Sequence, residues 1–141
     1  MSNQPHGDLV VDEIPGLLDA LRLPPMHVSA LVILTDTSQL EVQVPLPDVC
    51  AALVMKAHAY AGRLSDNDAL DIWRLLQSAA NAGHTAADWP TGSTARDAAA
   101  LLHRHFGAPN SGGPRRATPN RTNQARIRAL TAHIVPNPTG I

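Results

Sequence analysis

Lysine, cysteine and aromatic residues are scarce in this chain of 141 residues. Its single cysteine, Cys50, excludes an internal disulfide bond and favours the reducing cytoplasm. Aromatic residues make up 3% of the chain, so we expect a core of aliphatic side chains. No apolar run approaches the roughly 18 residues of a membrane-spanning helix. The opening "MSNQPHGD" lacks the features of a signal peptide, so we expect a cytoplasmic protein without a membrane segment.

The chain also lacks an excess of charge of one sign, because it has 11 Lys and Arg residues and 12 Asp and Glu residues. The net charge of −1 gives no overall argument for nucleic-acid binding. The C-terminal third differs, since five arginines fall between residues 115 and 128 and no acid follows Asp97. These arginines could contact phosphate, but solvent-exposed positions on a loop and a helix are the commoner interpretation. The five are Arg115, Arg116, Arg121, Arg126 and Arg128.

Apolar periodicity predicts an α+β fold, a small antiparallel sheet of short strands followed by about four helices. The runs "HVSALVIL" (27–34) and "LEVQV" (40–44) predict a hairpin whose second strand is half-buried. We expect a single domain over residues 8–134. The predicted divisions are a disordered start (1–7), strands (8–44), helices (45–106), a loop (107–121), a terminal helix (122–134) and a tail (135–141).

The only lysine, Lys56, lies in the apolar stretch "LVMKAHAYAGRLSDNDALDIWRLL" (53–76), whereas the other ten basic residues are arginines. Two predicted helices joined by a tight polar turn bring this lysine near Arg63, Asp68 and Asp71. A lysine ammonium is a compact cation that meets a triphosphate at a single oxygen. Nearby carboxylates hold Mg²⁺ or orient the lysine, so the pattern is typical of a nucleotide site.

The same residues also fit a purely structural role. Asp68 suits a capping box at the start of the second helix. Asp71 suits an ordinary ion pair with Arg63 or Arg74, and the stem of Lys56 can lie along the core. Spacing alone favours this alternative, because lysine and aspartate are common on helices. The arginine bias of the chain favours a specific use for the lysine at position 56.

The segment "PLPDVCAALVMKAHAYAGRLSDNDALDIWRLL" (45–76) resembles the C-terminal signature of the abortive-infection-type (AbiEii-like) nucleotidyltransferases, the toxin halves of some bacterial toxin–antitoxin systems. The family pattern is a proline-containing lead-in, a Lys-x-x-Ala helix, an arginine seven residues after the lysine, and a Lys-Asp-x-x-Asp-Leu helix. The chain departs from it at Asn67, where the family usually carries a basic residue. The matching residues are Lys56, Ala59, Arg63, Asp68, Asp71 and Ile72.

This resemblance implies the later part of a nucleotidyltransferase domain with its helical C-terminal region. Such enzymes transfer a nucleotide from an NTP to an acceptor, often tRNA, using Mg²⁺. Lys56 would match the lysine that contacts the NTP phosphates, with Arg63 beside it. Asp68 or Asp71 would match the active-site acid. Asp12, on the "VVDEI" strand, would be placed like the third carboxylate, a metal ligand of the catalytic sheet.

The first motif of that family, a Gly-Ser turn followed by an Asp-x-Asp pair, is not found before residue 45. Because those acids hold the catalytic metals, we expect a truncated or degenerate member that binds NTP through Lys56 and Arg63. The alternative is a non-catalytic interaction module that pairs through an exposed strand edge with a catalytic chain or an antitoxin. A third hypothesis, ranked last, is an active enzyme whose metal ligands are Asp12, Asp68 and Asp71.

Overall fold

The computed structural model of the chain describes residues 3–6, 9–12 and 14–138, with side chains from residue 14 to residue 138. The expected α+β fold is confirmed, since antiparallel strands near the N-terminus precede a mainly helical remainder. Within these ranges the strands form two separate hairpins. The elements are β1 (Asn3–His6), β2 (Leu9–Asp12), α1 (Leu17–Arg22), β3 (Met26–Ile33), β4 (Gln39–Leu46), α2 (Val49–Arg63), α3 (Asp66–Asn81), α4 (Ser93–Leu102), α5 (Gly113–Ala117) and α6 (Arg121–Ile134).

The predicted hairpin is formed by β3 and β4, which pair from Met26 opposite Leu46 to Ile33 opposite Gln39. Its turn is closed by the Leu34 backbone N–H, which donates to the Ser38 carbonyl at 2.9 Å. The expectation of a half-buried second strand is wrong. Most of β4 is exposed, because among the described elements the hairpin strands pack chiefly on each other and not against a helix.

The hydrophobic core lies among the helices and is mainly aliphatic, as the composition predicts, although Tyr60, Trp89 and Phe106 also belong to it. Alanines occupy many of the helix contacts, which lets neighbouring helices approach closely. One aromatic side chain, Phe106, is fully buried and contacts the ring of Tyr60 edge-on, with ring centroids 4.9 Å apart. The largest fully buried aliphatic side chains are Leu53, Ile72, Leu76, Leu102, Ile127 and Ile134.

Three segments that the sequence predicts to be irregular contain ordered structure. In the predicted disordered start, β1 pairs with β2. Backbone hydrogen bonds between the strands hold β1 in place although its sequence is polar. The predicted loop 107–121 contains α5, with Pro114 in the first turn, where a missing N–H costs nothing. The predicted tail begins with Val135, which is buried in the core. Residues 139–141 lie outside the described residues.

Helix α2 begins where the sequence predicts. The Asp48 carboxylate accepts the backbone N–H groups of Cys50 at 2.8 Å and Ala51 at 3.3 Å. Helix α3 follows Ser65, but the predicted capping box is wrong, because the Ser65 side chain makes no capping hydrogen bond. Leu64, with φ of 50°, reverses the chain in a left-handed conformation between the two helices.

Candidate functional site

The hairpin-like connection between α2 and α3 brings four predicted site residues together. Lys56 lies in the middle of α2, and Arg63 is the last residue of that helix. Asp68 lies in the first turn of α3, and Asp71 follows three residues later on the same side. The side chains of these four residues, Lys56, Arg63, Asp68 and Asp71, make direct contacts and form what we call the ion-pair cluster.

Asp68 is the centre of the ion-pair cluster and is only 4% exposed. Its Oδ1 accepts from Lys56 Nζ at 3.1 Å. Its Oδ2 accepts from Arg63 Nε at 3.1 Å, and Arg63 Nη2 donates to Oδ1 at 3.1 Å. Charge-assisted hydrogen bonds on both oxygens offset the free-energy cost of removing the carboxylate from water. Asp68 therefore holds the two cations in place, which explains why it does not cap α3.

Lys56 also donates to Asp71 Oδ2, at 2.8 Å, where the two side chains are 35% and 39% exposed. This hydrogen bond raises the pKa of the Lys56 amine, against partial burial, which lowers it. The side chain is therefore an ammonium ion throughout the physiological range. Of the two partners predicted for Asp71, Arg74 lies 4.0 Å from its Oδ1, while Arg63 turns to Asp68.

Beside the ion-pair cluster lies a shallow groove of about 350 Å³, which we call the Lys56 groove. Its floor is apolar, and its rim carries two cations and one carboxylate. An apolar surface with a few convergent polar groups is typical of small-ligand sites. The floor residues are Pro47, Ala52, Met55 and Leu75, and the rim residues are Lys56, Asp71 and Arg74.

Sequence reasoning missed most of this groove. Arg74 was predicted only as an ion-pair partner of Asp71, with which it shares a helix face, and not as part of a groove. Met55 and Leu75 could not have been found, since ordinary apolar residues on two different helices give no local signal of a shared groove. The floor depends on the packing of α2 against α3 rather than on a motif.

The structure gives less support to the predicted metal site than to the ion-pair cluster. Asp12 ends β2, but its side chain lies outside the described residues. Between residues 14 and 138, no group of three or more His, Cys, Asp or Glu side chains is arranged to hold a metal ion. Both oxygens of Asp68 already accept from cations. Asp71 is the remaining carboxylate of the ion-pair cluster and is half-exposed, so it is the one able to face an incoming ion.

Comparison of the sequence with protein-family models, with curated proteins and with solved structures finds no match. The resemblance to nucleotidyltransferases therefore depends on the residues of the 45–76 segment alone. Over the described part of the chain, no helix has the length and apolar content to cross a membrane.

Proposed function

We propose that this chain is a nucleotidyltransferase-like protein that binds a nucleoside triphosphate in the Lys56 groove. The observation that carries the proposal is a half-exposed ammonium at the rim of an apolar groove, fixed there by two carboxylates. A cation that is already held in position loses little conformational entropy when it binds a phosphate. The family resemblance of residues 45–76 favours the same ligand.

The charges around the groove suit a polyphosphate. Lys56 uses two of its three N–H donors for Asp68 and Asp71, which leaves one for a phosphate oxygen. Arg74 and Arg63 are more exposed than Lys56, and they can follow a flexible phosphate chain. With Arg74 counted beside the ion-pair cluster, three cations outnumber the two carboxylates by one, so this surface favours an anion.

The apolar floor supplies the second half of the recognition. Met55 and Leu75 line the groove within reach of the Lys56 rim. A nucleobase can lie flat on such a surface, and the flexible methionine side chain adapts to its shape. Base contacts of this kind depend little on which base is bound, so we expect only modest discrimination among the four common ribonucleotides.

Mg²⁺ fits this site only as an ion carried by the triphosphate. Such ions are commonly held by one or two carboxylates together with phosphate oxygens. Asp71 can supply one carboxylate oxygen, whereas Asp68 is committed to Lys56 and Arg63. The ion would neutralise phosphate charge in the groove, and Lys56 would keep its contact with the remaining oxygens.

Isothermal titration of the full chain with each common ribonucleoside triphosphate, with and without Mg²⁺, tests the proposal. Loss of one charge-assisted contact of about 1.5–3 kcal/mol weakens binding by roughly 10-fold or more, which is our expectation for Lys56→Ala. The matched control is Arg116→Ala, which breaks an exposed ion pair with Asp66 outside the groove. A folded wild-type protein that binds no nucleotide, or equal binding by the Lys56→Ala variant, would overturn the proposal.

Nucleotide transfer is a separate prediction that requires its own assay. The family resemblance names RNA as the acceptor class and tRNA as the first acceptor to test. Label that passes from an α-labelled NTP to tRNA, and is lost with Lys56→Ala, would establish an active transferase. Nucleotide binding without any labelled RNA would establish a binding protein without transfer activity of its own.

A further inference from the structure

The charged residues are unevenly distributed along this chain. The first 97 residues carry all 12 acidic residues and five of the 11 basic ones, which gives this part a formal charge of −7. The remaining 44 residues carry six arginines and no acid, a formal charge of +6. The net charge of −1 is therefore the sum of an acidic and a basic region. Such asymmetry is typical of chains that bind polyanions.

Three of these arginines lie around one short turn beside α5 and α6. Arg115 Nη2 donates to the Asn110 carbonyl at 3.4 Å. Arg128 Nε donates to the Ala108 carbonyl at the same distance. These two guanidinium groups therefore flank the turn between the two carbonyls. Arg121 lies seven residues before Arg128, which places it on the same side of α6 and about 10 Å away along the helix axis.

Arg116 extends this group of arginines to the ion-pair cluster. Its Nη1 donates to Asp66 Oδ1 at 2.8 Å, and Asp66 lies two residues before Asp68. The two side chains are 47% and 70% exposed, so water or a phosphate can compete for the contact. We call these four residues the arginine surface, which consists of Arg115, Arg116, Arg121 and Arg128.

The arginine surface has little neutralising charge. Within the described side chains, residues 14–138, Arg116 is the only member with a carboxylate within 4.0 Å. Arg115 and Arg121 are exposed and contact no acid in that range. Arg126 is also exposed, but it lies two residues from Arg128 and therefore does not share its side of α6. The local excess of positive charge attracts an anion with several charges.

The surroundings of the arginine surface distinguish between classes of polyanion. Between residues 14 and 138, all exposed large hydrophobic side chains lie from Ile14 to Leu64, outside the basic region. Binding to an anionic membrane uses apolar side chains beside the cations, and protein interfaces use apolar or aromatic anchors. Polar side chains among arginines instead suit phosphate and sugar contacts. Exposed residues between the arginines are Asn110, Pro119, Asn120, Thr122 and Ala125.

The lack of exposed aromatic side chains favours a duplex over a single strand. Phe106 is the only Phe, Trp or Tyr after Asp97, and it is fully buried. Proteins that bind single strands stack the bases on aromatic rings, which this region does not offer. A duplex keeps its bases stacked and carries one negative charge per about 1.7 Å of its axis. Several phosphates therefore fall within the 10 Å that separates Arg121 from Arg128.

We propose that the arginine surface binds the phosphodiester backbone of a double-stranded nucleic acid and does not read its bases. This inference is independent of nucleotide binding in the Lys56 groove. Because binding four phosphates releases condensed counterions, the affinity should fall roughly 100-fold between 50 and 200 mM salt. RNA and DNA duplexes share this backbone chemistry, and a comparison of the two identifies the source of the ligand.

Fluorescence anisotropy of the full chain with labelled mixed-sequence duplexes of RNA and of DNA, and with one single strand of each, tests the proposal. The test variant is Arg115→Gln with Arg121→Gln, which removes two exposed cations from the arginine surface. The matched control is Arg22→Gln with Arg96→Gln, which removes two exposed cations elsewhere and changes the net charge equally. Far-UV circular dichroism checks that both variants are folded.

We expect the test variant to weaken duplex binding by about 10-fold or more and to lower the salt slope by about two, whatever the sequence of the duplex. The control variant should bind like wild type. The test variant should also bind nucleotide like wild type in isothermal titration, so a failure of the Lys56 groove and a failure of the arginine surface are seen separately.

Binding of either duplex with this pattern supports the proposal. It would be overturned by a folded wild type that binds neither duplex at 50 mM salt, or by equal losses in the test and control variants. Tighter binding of single strands than of duplexes by 10-fold or more would also overturn it. Vesicles of phosphatidylserine and phosphatidylcholine test the membrane alternative, and binding to them without duplex binding would contradict a nucleic-acid surface.

Discussion

At the scale of single residues, the burial of Asp68 determines the geometry of the ion-pair cluster. A carboxylate that is 4% exposed must keep its hydrogen bonds, and it obtains them from Lys56 and Arg63. Asp71 is chemically identical but half-exposed, and water can replace its contact with Lys56. The two aspartates therefore differ in their roles, Asp68 as a fixed support and Asp71 as an exchangeable ligand.

Replacing each aspartate with asparagine should reveal this difference. We expect Asp68→Asn to lower the free energy of unfolding by about 1–3 kcal/mol, because charge-assisted hydrogen bonds to a buried group are lost. The matched variant Asp71→Asn removes a half-exposed ion pair and should cost less than about 1 kcal/mol. Urea denaturation measures both values. Equal losses would show that burial does not separate the two carboxylates.

Cys50 provides a residue-scale prediction about pH. Burial, with smaller contributions from Asp48 and Asp88, raises the pKa of its thiol to about 12. The unfolded thiol ionises near pH ~8.5, so the folded protein binds this proton more tightly. Its contribution to the free energy of unfolding is fully present below that pH and is lost as the pH rises toward 12.

Alkylation kinetics check this expectation directly. At pH ~9 the native thiol should react with iodoacetamide at least 100-fold more slowly than the thiol in urea, because little thiolate forms and the side chain is buried. A free cysteine peptide of the same local sequence is the control for intrinsic reactivity. Rapid alkylation of the folded protein would contradict a protonated, enclosed Cys50.

At the scale of elements, the two central helices begin differently although their sequences suggest similar caps. Asp48 caps α2 with two backbone hydrogen bonds, whereas Ser65 precedes α3 without a side-chain bond. The first turn of α3 carries Asp66 and Asp68, which favour the helix N-terminus by their charge. Helix α3 therefore begins through electrostatics and packing, and α2 through a conventional cap.

A pair of cap substitutions should separate these cases. Asp48→Ala removes a cap that satisfies two backbone N–H groups and should lower the free energy of unfolding by about 0.5–2 kcal/mol. Ser65→Ala removes a side chain without a capping bond, so we expect a change of no more than about 0.5 kcal/mol. Both are measured by thermal and urea denaturation. A larger loss from Ser65→Ala would show that its hydroxyl caps α3 in solution.

At the scale of the whole molecule, the described residues form a helical body, which holds the buried core, and two hairpins. The side chains of the β3–β4 hairpin are largely exposed. Beside the Lys56 groove lies a second groove of about 700 Å³ at the base of the β3–β4 hairpin, and the two grooves share Pro47, Ala52 and Leu75.

Hydrogen exchange of the full chain should detect this division. Amides of α2 and α3 open only with the core, while the β3–β4 amides open locally, so hairpin exchange should be at least 100-fold faster. Equal protection of hairpin and core would contradict the exposed hairpin.

Local patterns predicted much of the fold. Alternation of side chains identified the β3–β4 hairpin, and the Asp48 cap with its apolar periodicity identified α2. The spacing of Lys56, Arg63 and the two aspartates was enough to predict that they meet. Helix α5 was missed because the glycines and prolines in and around it favour a loop locally, and packing against α3 and α6 stabilises it.

The sequence by itself determined the order of most elements, the mainly aliphatic core and the residues of the ion-pair cluster, because these depend on composition and on segments that follow each other directly in the chain. Only the tertiary structure decided which aspartate is buried, where the grooves lie and which face of the hairpin is left uncovered. Each of these depends on contacts between segments that are distant in sequence. A local pattern specifies which residues share a face, but not what packs against it.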